Sequence, residues 1–199
     1  MRRYLALFLV VSAPLASEAA AQATGMPSFN APYRAFTRSE IGVVFSFPSG
    51  GGTGIEGAYR MSSGKFDIGL RGGFLDGGPS TILLVGAEAR QRVLSHTTDF
   101  PLDGALVLGV GGWFSSGNSV MFVPIGLSLG RRIDLEGSNV SIVPYVQPTG
   151  TLVAGGGNSD FLFTLGLGAD FRLSPRFDAR ISAGLGDLEG VSLSAVWVH

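Results

Sequence analysis

The chain has 199 residues, of which 45% are apolar and 15% charged, against roughly 25% charged in ordinary soluble domains. A soluble barrel needs charge on its outer face and a nucleic-acid partner needs a basic patch, so this composition and a net charge of −1 speak against both. The absence of cysteine excludes disulfides, a lipidated amino terminus and thiolate chemistry. The 31 glycines follow no three-residue repeat, which excludes collagen.

The amino terminus carries Arg2 and Arg3, an apolar run from Tyr4 to Ala13, and small residues at Ala21 and Ala23 around Gln22. This is the pattern of a secretory signal peptide over residues 1–23. A membrane anchor would need about twenty apolar residues, whereas this run breaks at Pro14 and meets Glu18. Residues 24–38 hold Pro27, Asn30, Pro32 and the aromatics Phe29, Tyr33 and Phe36 without period. They read as a periplasmic lead-in to a barrel over 39–199, with a partial plug as the alternative.

From Glu40 onward the hydrophobic pattern has period two, the signature of strands with one apolar face. The strands predicted are 40–47, 55–61, 65–75, 81–93, 102–114, 120–132, 139–153, 161–172, 177–186 and 191–198. In the third, Phe66, Ile68, Leu70 and Phe74 alternate with Asp67, Gly69, Arg71 and Gly73. In the eighth, Phe161, Phe163, Leu165, Leu167, Ala169 and Phe171 alternate with Leu162, Thr164, Gly166, Gly168, Asp170 and Arg172. Pro124, Pro144 and Pro148 fall inside the sixth and seventh strands, where a missing N–H weakens the ladder. Segments of about ten alternating residues separated by turns cross a bilayer when tilted. The fold predicted is all-β, an antiparallel up-and-down transmembrane β-barrel of about ten strands, or eight if the middle strands merge.

One face of each strand is apolar and suits lipid. The inward face carries Glu40, Glu56, Asp67, Glu88, Asp103, Asp170 and Asp178, with Arg60, Lys65, Arg71, Arg90, Arg132, Arg172 and Arg180. A base at mid-bilayer on the lipid face costs about 2–4 kcal/mol, which fixes the inside-out sense. Paired across a narrow bore, these charges would hold it shut, since unpaired buried charge is expensive. Inward glycines such as Gly69, Gly109, Gly111, Gly166 and Gly184 would otherwise leave room for water and small solutes. Numbering the strands up and down from a periplasmic start gathers aromatics at two levels. Phe45, Phe47, Phe74, Phe114, Phe122, Phe161 and Phe163 fall at the outer rim, and Phe66, Phe171, Phe177 and Trp197 at the inner one.

The segments FVPIGLSLGRR (122–132), VPYVQ (143–147) and LGLGADFRLSPRFDAR (165–180) resemble strands of the small outer-membrane β-barrel superfamily that includes the OmpA-type transmembrane domain. The resemblance covers most of the chain beyond the signal and implies a barrel rather than an activity. Members commonly end in Phe or Trp, as part of the signal read by the barrel-assembly machinery. Here His199 takes that place and Trp197 lies two residues earlier.

A His-dependent hydrolase needs its base in contact with its nucleophile, but His96 falls on an inner link and His199 at the chain end. The cluster Gly50, Gly51, Gly52, Gly54 lacks the Lys-Ser or Lys-Thr and the helix of a phosphate loop. Asp76, Asp160, Asp187 and Glu189 are scattered single acids, a weak pattern for calcium or magnesium. No catalytic residue, metal ligand or cofactor is therefore expected. The expected protein is a non-enzymatic barrel of the Gram-negative outer membrane, with a structural envelope role or a narrow, porin-like passive pore for small solutes. Its partners would be outer-membrane lipid, lipopolysaccharide and the barrel-assembly machinery, with no nucleic acid. The alternative is a soluble exported lipocalin-like barrel that binds a small apolar ligand.

Overall fold

The period-two segments all become strands. The computed structural model describes residues 23–32, 37–78 and 80–199. All but the last residue of the expected signal peptide, and Tyr33 and Phe36 of the expected lead-in, lie outside the described residues. The strands are β1 (Glu40–Pro48), β2 (Thr53–Ser63), β3 (Phe66–Asp76), β4 (Thr81–Leu94), β5 (Asp103–Ser115), β6 (Asn118–Gly130), β7 (Ile133–Asp134), β8 (Ser141–Gly155), β9 (Asn158–Ser174), β10 (Phe177–Gly186) and β11 (Gly190–Val198).

Apart from the short β7, each strand pairs antiparallel with its neighbours in the chain, β6 pairs directly with β8, and β11 closes the sheet on β1 with Val198 opposite Glu40. The two-residue β7 only extends the edge of β8 at Ile142 and Ser141. Eleven strands less this one leave a closed wall of ten. We call the end where β1 begins and β11 finishes the terminal end, and the opposite one the loop end.

Two interruptions of the ladder lie at prolines. Between β5 and β6 the pairing lapses from Ile125 to Phe122, across Pro124. Between β6 and β8 it lapses between Gly126↔Thr149 and Leu129↔Val146, next to Pro148. Proline has no N–H to give, and the strands pass it by omitting local bonds while keeping register. The β8–β9 hairpin turns on Gly156 and Gly157, with φ of 59° and 84°. Two consecutive positive φ values make the primed turn that suits strand twist, and glycine adopts them without strain.

The outward side chains form an apolar belt, with Leu70, Ile125 and Phe161 each more than half exposed. Such a surface around the whole wall suits hydrocarbon rather than water. The core is therefore inside the bore. It includes a piece of chain that belongs to no strand: residues 23–32 run within the lumen, with Ala23, Thr24 and Met26 fully buried and Phe29 and Ala31 nearly so. The described part of the segment read as a periplasmic lead-in thus lies inside the barrel. Its lack of period reflects packing against a curved interior, not exposure to solvent.

Candidate functional site

Two layers fill the lumen. The first, toward the terminal end, is a continuous ion-pair network on β1, β2, β3, β4, β9 and β10. Arg60 on β2 donates to Asp67 on β3 at 2.7 Å and to Glu88 on β4 at 2.9 Å, and lies 3.4 Å from Glu40 on β1. Its guanidinium crosses β3 over Gly69, where an added Cβ would come within 3.1 Å of the guanidinium carbon. Arg90 on β4 reaches the same Asp67 at 3.2 Å. Arg180 on β10 grips both oxygens of Glu40, at 3.0 and 2.6 Å, and lies 3.1 Å from Asp170 and 3.7 Å from Asp178. Glu40 is thus the bridge between two arginine clusters. Charge-assisted, forked bonds of this kind are the strong class, and all of these side chains are buried.

The second layer is the segment 23–32, held almost entirely through its main chain. Trp113 Nε1 donates to the Thr24 carbonyl at 2.6 Å, and Tyr145 Oη to that of Phe29 at 2.8 Å. The Asn30 carbonyl accepts from Ser128 Oγ at 2.8 Å, that of Ser28 from Arg71 Nη1 at 3.3 Å, and that of Ala31 from Arg90 Nη1 at 3.5 Å. The Ser182 hydroxyl accepts from the Phe29 N–H at 3.1 Å and donates to the Pro27 carbonyl at 3.2 Å. Ser192 Oγ lies 2.8 Å from Ser182 Oγ, completing that hydroxyl's environment. Arg90 thus joins the two layers, and so does Arg180, whose Nη1 donates to Asn30 Oδ1 at 3.2 Å. Arg71, meanwhile, also pairs with Glu56 at 2.8 Å.

The inward glycines form the mould for this segment. A Cβ on Gly86 would come within 2.9 Å of Ala23 Cβ, one on Gly130 within 3.0 Å of Pro32 Cδ, and one on Gly54 within 3.0 Å of Met26 Sδ. On Gly111 it would collide with the Ala23 carbonyl oxygen, and on Gly166 with the Phe29 ring. The space that a sequence reading leaves for solutes is taken by the chain itself. A cavity of about 30 Å³ remains beside Ser28, Asn30, Arg60, Arg71 and Arg180, room for about one water molecule. Toward the loop end, Trp113 packs edge-on against Phe122 with ring centroids 5.3 Å apart, in one apolar cluster with Met26, Leu75, Leu84 and Leu188. Above Trp113 a vestibule of about 360 Å³ opens between the loops, its wall including Leu75, Ile82 and Val120.

Of the charges named from the sequence, Glu40, Glu56, Arg60, Asp67, Arg71, Glu88, Arg90, Asp103, Asp170, Asp178 and Arg180 are buried in the bore, and Arg172 is half-buried opposite Asp178 in register. Lys65 is instead exposed in the β2–β3 turn, and Arg132 lies beyond the end of β6, 2.6 Å from Asp134. Both fall past the last inward position of their strands. Phe45, Phe47, Phe66, Phe74, Phe114, Phe161, Phe163, Phe177 and Trp197 are exposed on the outer face, and Phe171 partly so. Phe122 is not a girdle residue: it points inward between the outward Met121 and Val123, and is 1% exposed.

His96 meets Asp103, with Nδ1 3.1 Å from Oδ2, and the His199 ring stacks on Tyr59. Both are at the terminal end. At the loop end, Asp76 accepts from the Gly78 N–H at 3.1 Å and Asp187 from the Phe163 N–H at 2.7 Å. These acids organise turns. Among the described residues no group of three or more His, Asp or Glu is placed to hold a metal ion. The residues that sequence reasoning missed are Trp113, Ser128, Tyr145, Ser182 and Ser192. Trp113 and Tyr145 had a visible signal, because both are bulky rings on inward positions of strands whose other inward residues are smaller, such as Ala105, Val107 and Gly109 on β5 and Val143, Thr149 and Thr151 on β8.

No protein-family model matches the sequence, and no curated protein is significantly similar to it. Solved structures do align with it. The β domain of the Bordetella autotransporter BrkA superposes with a TM-score of 0.53 at 15% identity, over 81% of this chain and 98% of that one. A bacterial polysaccharide outer-membrane secretin aligns with a TM-score of 0.48 at 11% identity, over 75% of this chain and 57% of that one, so the chain spans less than two thirds of its length. A de novo designed transmembrane β-barrel gives 0.42 at 15% identity, over 82% of this chain and 97% of that one. The likeness to the autotransporter domain is one of fold: an antiparallel transmembrane-type β-barrel.

Proposed function

We propose that this chain is an exported outer-membrane barrel that is closed at rest and serves the Gram-negative envelope as a non-catalytic structural element. The occupied bore is the observation that supports closure. The signal-peptide pattern over 1–23 supports export, and an apolar belt carried on strands suits the membrane in which bacterial barrels reside. The terminal end would face the periplasm. Outer-membrane lipid would cover the belt, lipopolysaccharide would surround the loop end, and the barrel-assembly machinery would read the last strand through Trp197. A non-catalytic role fits the two histidines, which lie at the terminal end, far from the loop-end acids.

The test is single-channel conductance of the mature protein refolded into planar bilayers, with insertion verified by a heat-dependent gel shift. Silence from inserted protein is expected. Steady salt-dependent steps would replace closure with a narrow pore. Location is tested separately, by fractionation: recovery from the soluble periplasm, rather than from urea-washed outer membranes, would overturn the membrane reading.

A further inference from the structure

We infer that the lumen is a binding site for a short bent peptide, occupied in cis by residues 24–32, and that it accepts such a peptide supplied from outside the chain. This goes beyond closure of the bore and does not depend on which membrane holds the barrel.

The wall recognises a main chain. Six carbonyls of the segment accept from side chains on six different strands: Trp113 on β5, Ser182 on β10, Arg71 on β3, Tyr145 on β8, Ser128 on β6 and Arg90 on β4. Carbonyls are common to every peptide, so these bonds fix the path of the main chain rather than its side chains; Gly25, with φ of 73°, and the Ser28 N–H, which donates to the Met26 carbonyl at 2.7 Å, set a bend within it. Selectivity comes from two anchors three positions apart. Met26 enters a recess floored by Gly54, and the Phe29 ring lies against Gly166, where any side chain would overlap it. Beside the anchors the wall meets the small residues Thr24, Ser28 and Ala31, while Pro27 lies beside Gly190 and the Asn30 side chain accepts from Arg180. The ligand class is thus a short peptide bent at a glycine, with bulky apolar residues at i and i+3.

The segment is also separable from the fold. Among the described residues no backbone–backbone hydrogen bond joins it to the wall, and the ladder closes from β1 to β11 without it. A strand cannot leave a barrel without opening an edge. This segment can.

The experiment introduces a protease recognition sequence between the exposed residues Thr37 and Arg38. The mature protein, beginning at Thr24, is refolded in detergent, cleaved, washed, and titrated with a fluorescein-labelled synthetic peptide of residues 24–32. Saturable anisotropy, competed by unlabelled peptide, is the expected result. In the protein, Tyr145→Phe should weaken binding about fivefold, the equivalent of one neutral hydrogen bond. In the peptide, Phe29→Ala should weaken it further, while Ser28→Ala should leave it unchanged. Absence of binding to a barrel that keeps its heat-shifted gel band would overturn the proposal, and so would a cleaved segment that never exchanges. Loss of the folded band on release would also overturn it, because the segment would then be an inseparable part of the core.

Discussion

Toward the terminal end the bore is closed by side chains that belong to the wall, while toward the loop end it is closed by a length of main chain that does not. In the first region every partner is fixed by strand register: Glu40, Arg60, Asp67 and Glu88 meet because β1 to β4 are hydrogen-bonded in sequence. In the second, Thr24 meets Trp113 across 89 positions of chain, and Pro27 meets Ser182 across 155. The charged layer is stiff and interdependent, since removing one ion of a buried set strands the others. The peptide layer is a set of individually modest hydrogen bonds plus two apolar anchors, and can be weakened stepwise.

The largest difference should come from Arg60→Met. Glu40, Asp67 and Glu88 would lose the guanidinium they share, at a cost of about 3–5 kcal/mol. The urea midpoint of the refolded barrel and its heat-shifted gel band report this loss. Fluorescence of the buried Trp113, in the other layer, should hold its native position below that midpoint. A midpoint change worth less than about 1 kcal/mol would mean that the acids are satisfied without Arg60. Next in size is Leu70→Arg, which is outward and more than half exposed. It places a base on the lipid face and should cost about 2–4 kcal/mol in bilayers. In detergent, where the head group can reach water, the penalty should shrink, and equal damage in both media would argue against the belt.

Most of the first region was legible in the sequence, and most of the second was not. Alternation sets both the strand and the face of each residue, so Asp67 opposite Arg90 and Glu40 opposite Arg60 follow once the hairpins are counted. The proline-bearing strands survived because each proline removes one bond and leaves the inward and outward sense intact. Residues 24–32 left no such trace, because a chain that joins no ladder has no period. What it does leave is indirect. Glycines at inward positions of several strands, and the rings of Trp113, Tyr145 and Phe122 on the same side, describe the shape of something that must lie between them. Phe122 shows the limit of reading by type: grouped by height with the girdle phenylalanines, it belongs inside by parity.

Two smaller substitutions sharpen the contrast within the peptide layer. Gly166→Ala inserts a methyl group into the space of the Phe29 ring, and overpacking of this kind costs about 1–3 kcal/mol. Because the nearest atoms to the added methyl group all belong to the Phe29 ring, the strain should be relieved by moving the segment. Transient conductance steps in an otherwise silent barrel are the expected sign, and a silent, fully stable variant would mean the ring has room elsewhere.

The smallest effect is the most discriminating. Ser128 and Ser46 are both fully buried inward hydroxyls on the wall. Ser128 donates to the Asn30 carbonyl at 2.8 Å, whereas Ser46 Oγ has no hydrogen-bond partner among the described residues. Ser128→Ala should therefore destabilise by about 1 kcal/mol, through a segment carbonyl left without its donor. Ser46→Ala, by contrast, removes a desolvated hydroxyl that gains nothing and should be neutral or slightly stabilising. The same atoms are deleted from the same kind of site, so the difference between the two urea midpoints isolates what the segment contributes through one bond. Equal midpoints would mean that the hydroxyls of the wall do not hold the segment, and that the Met26 and Phe29 anchors carry it alone.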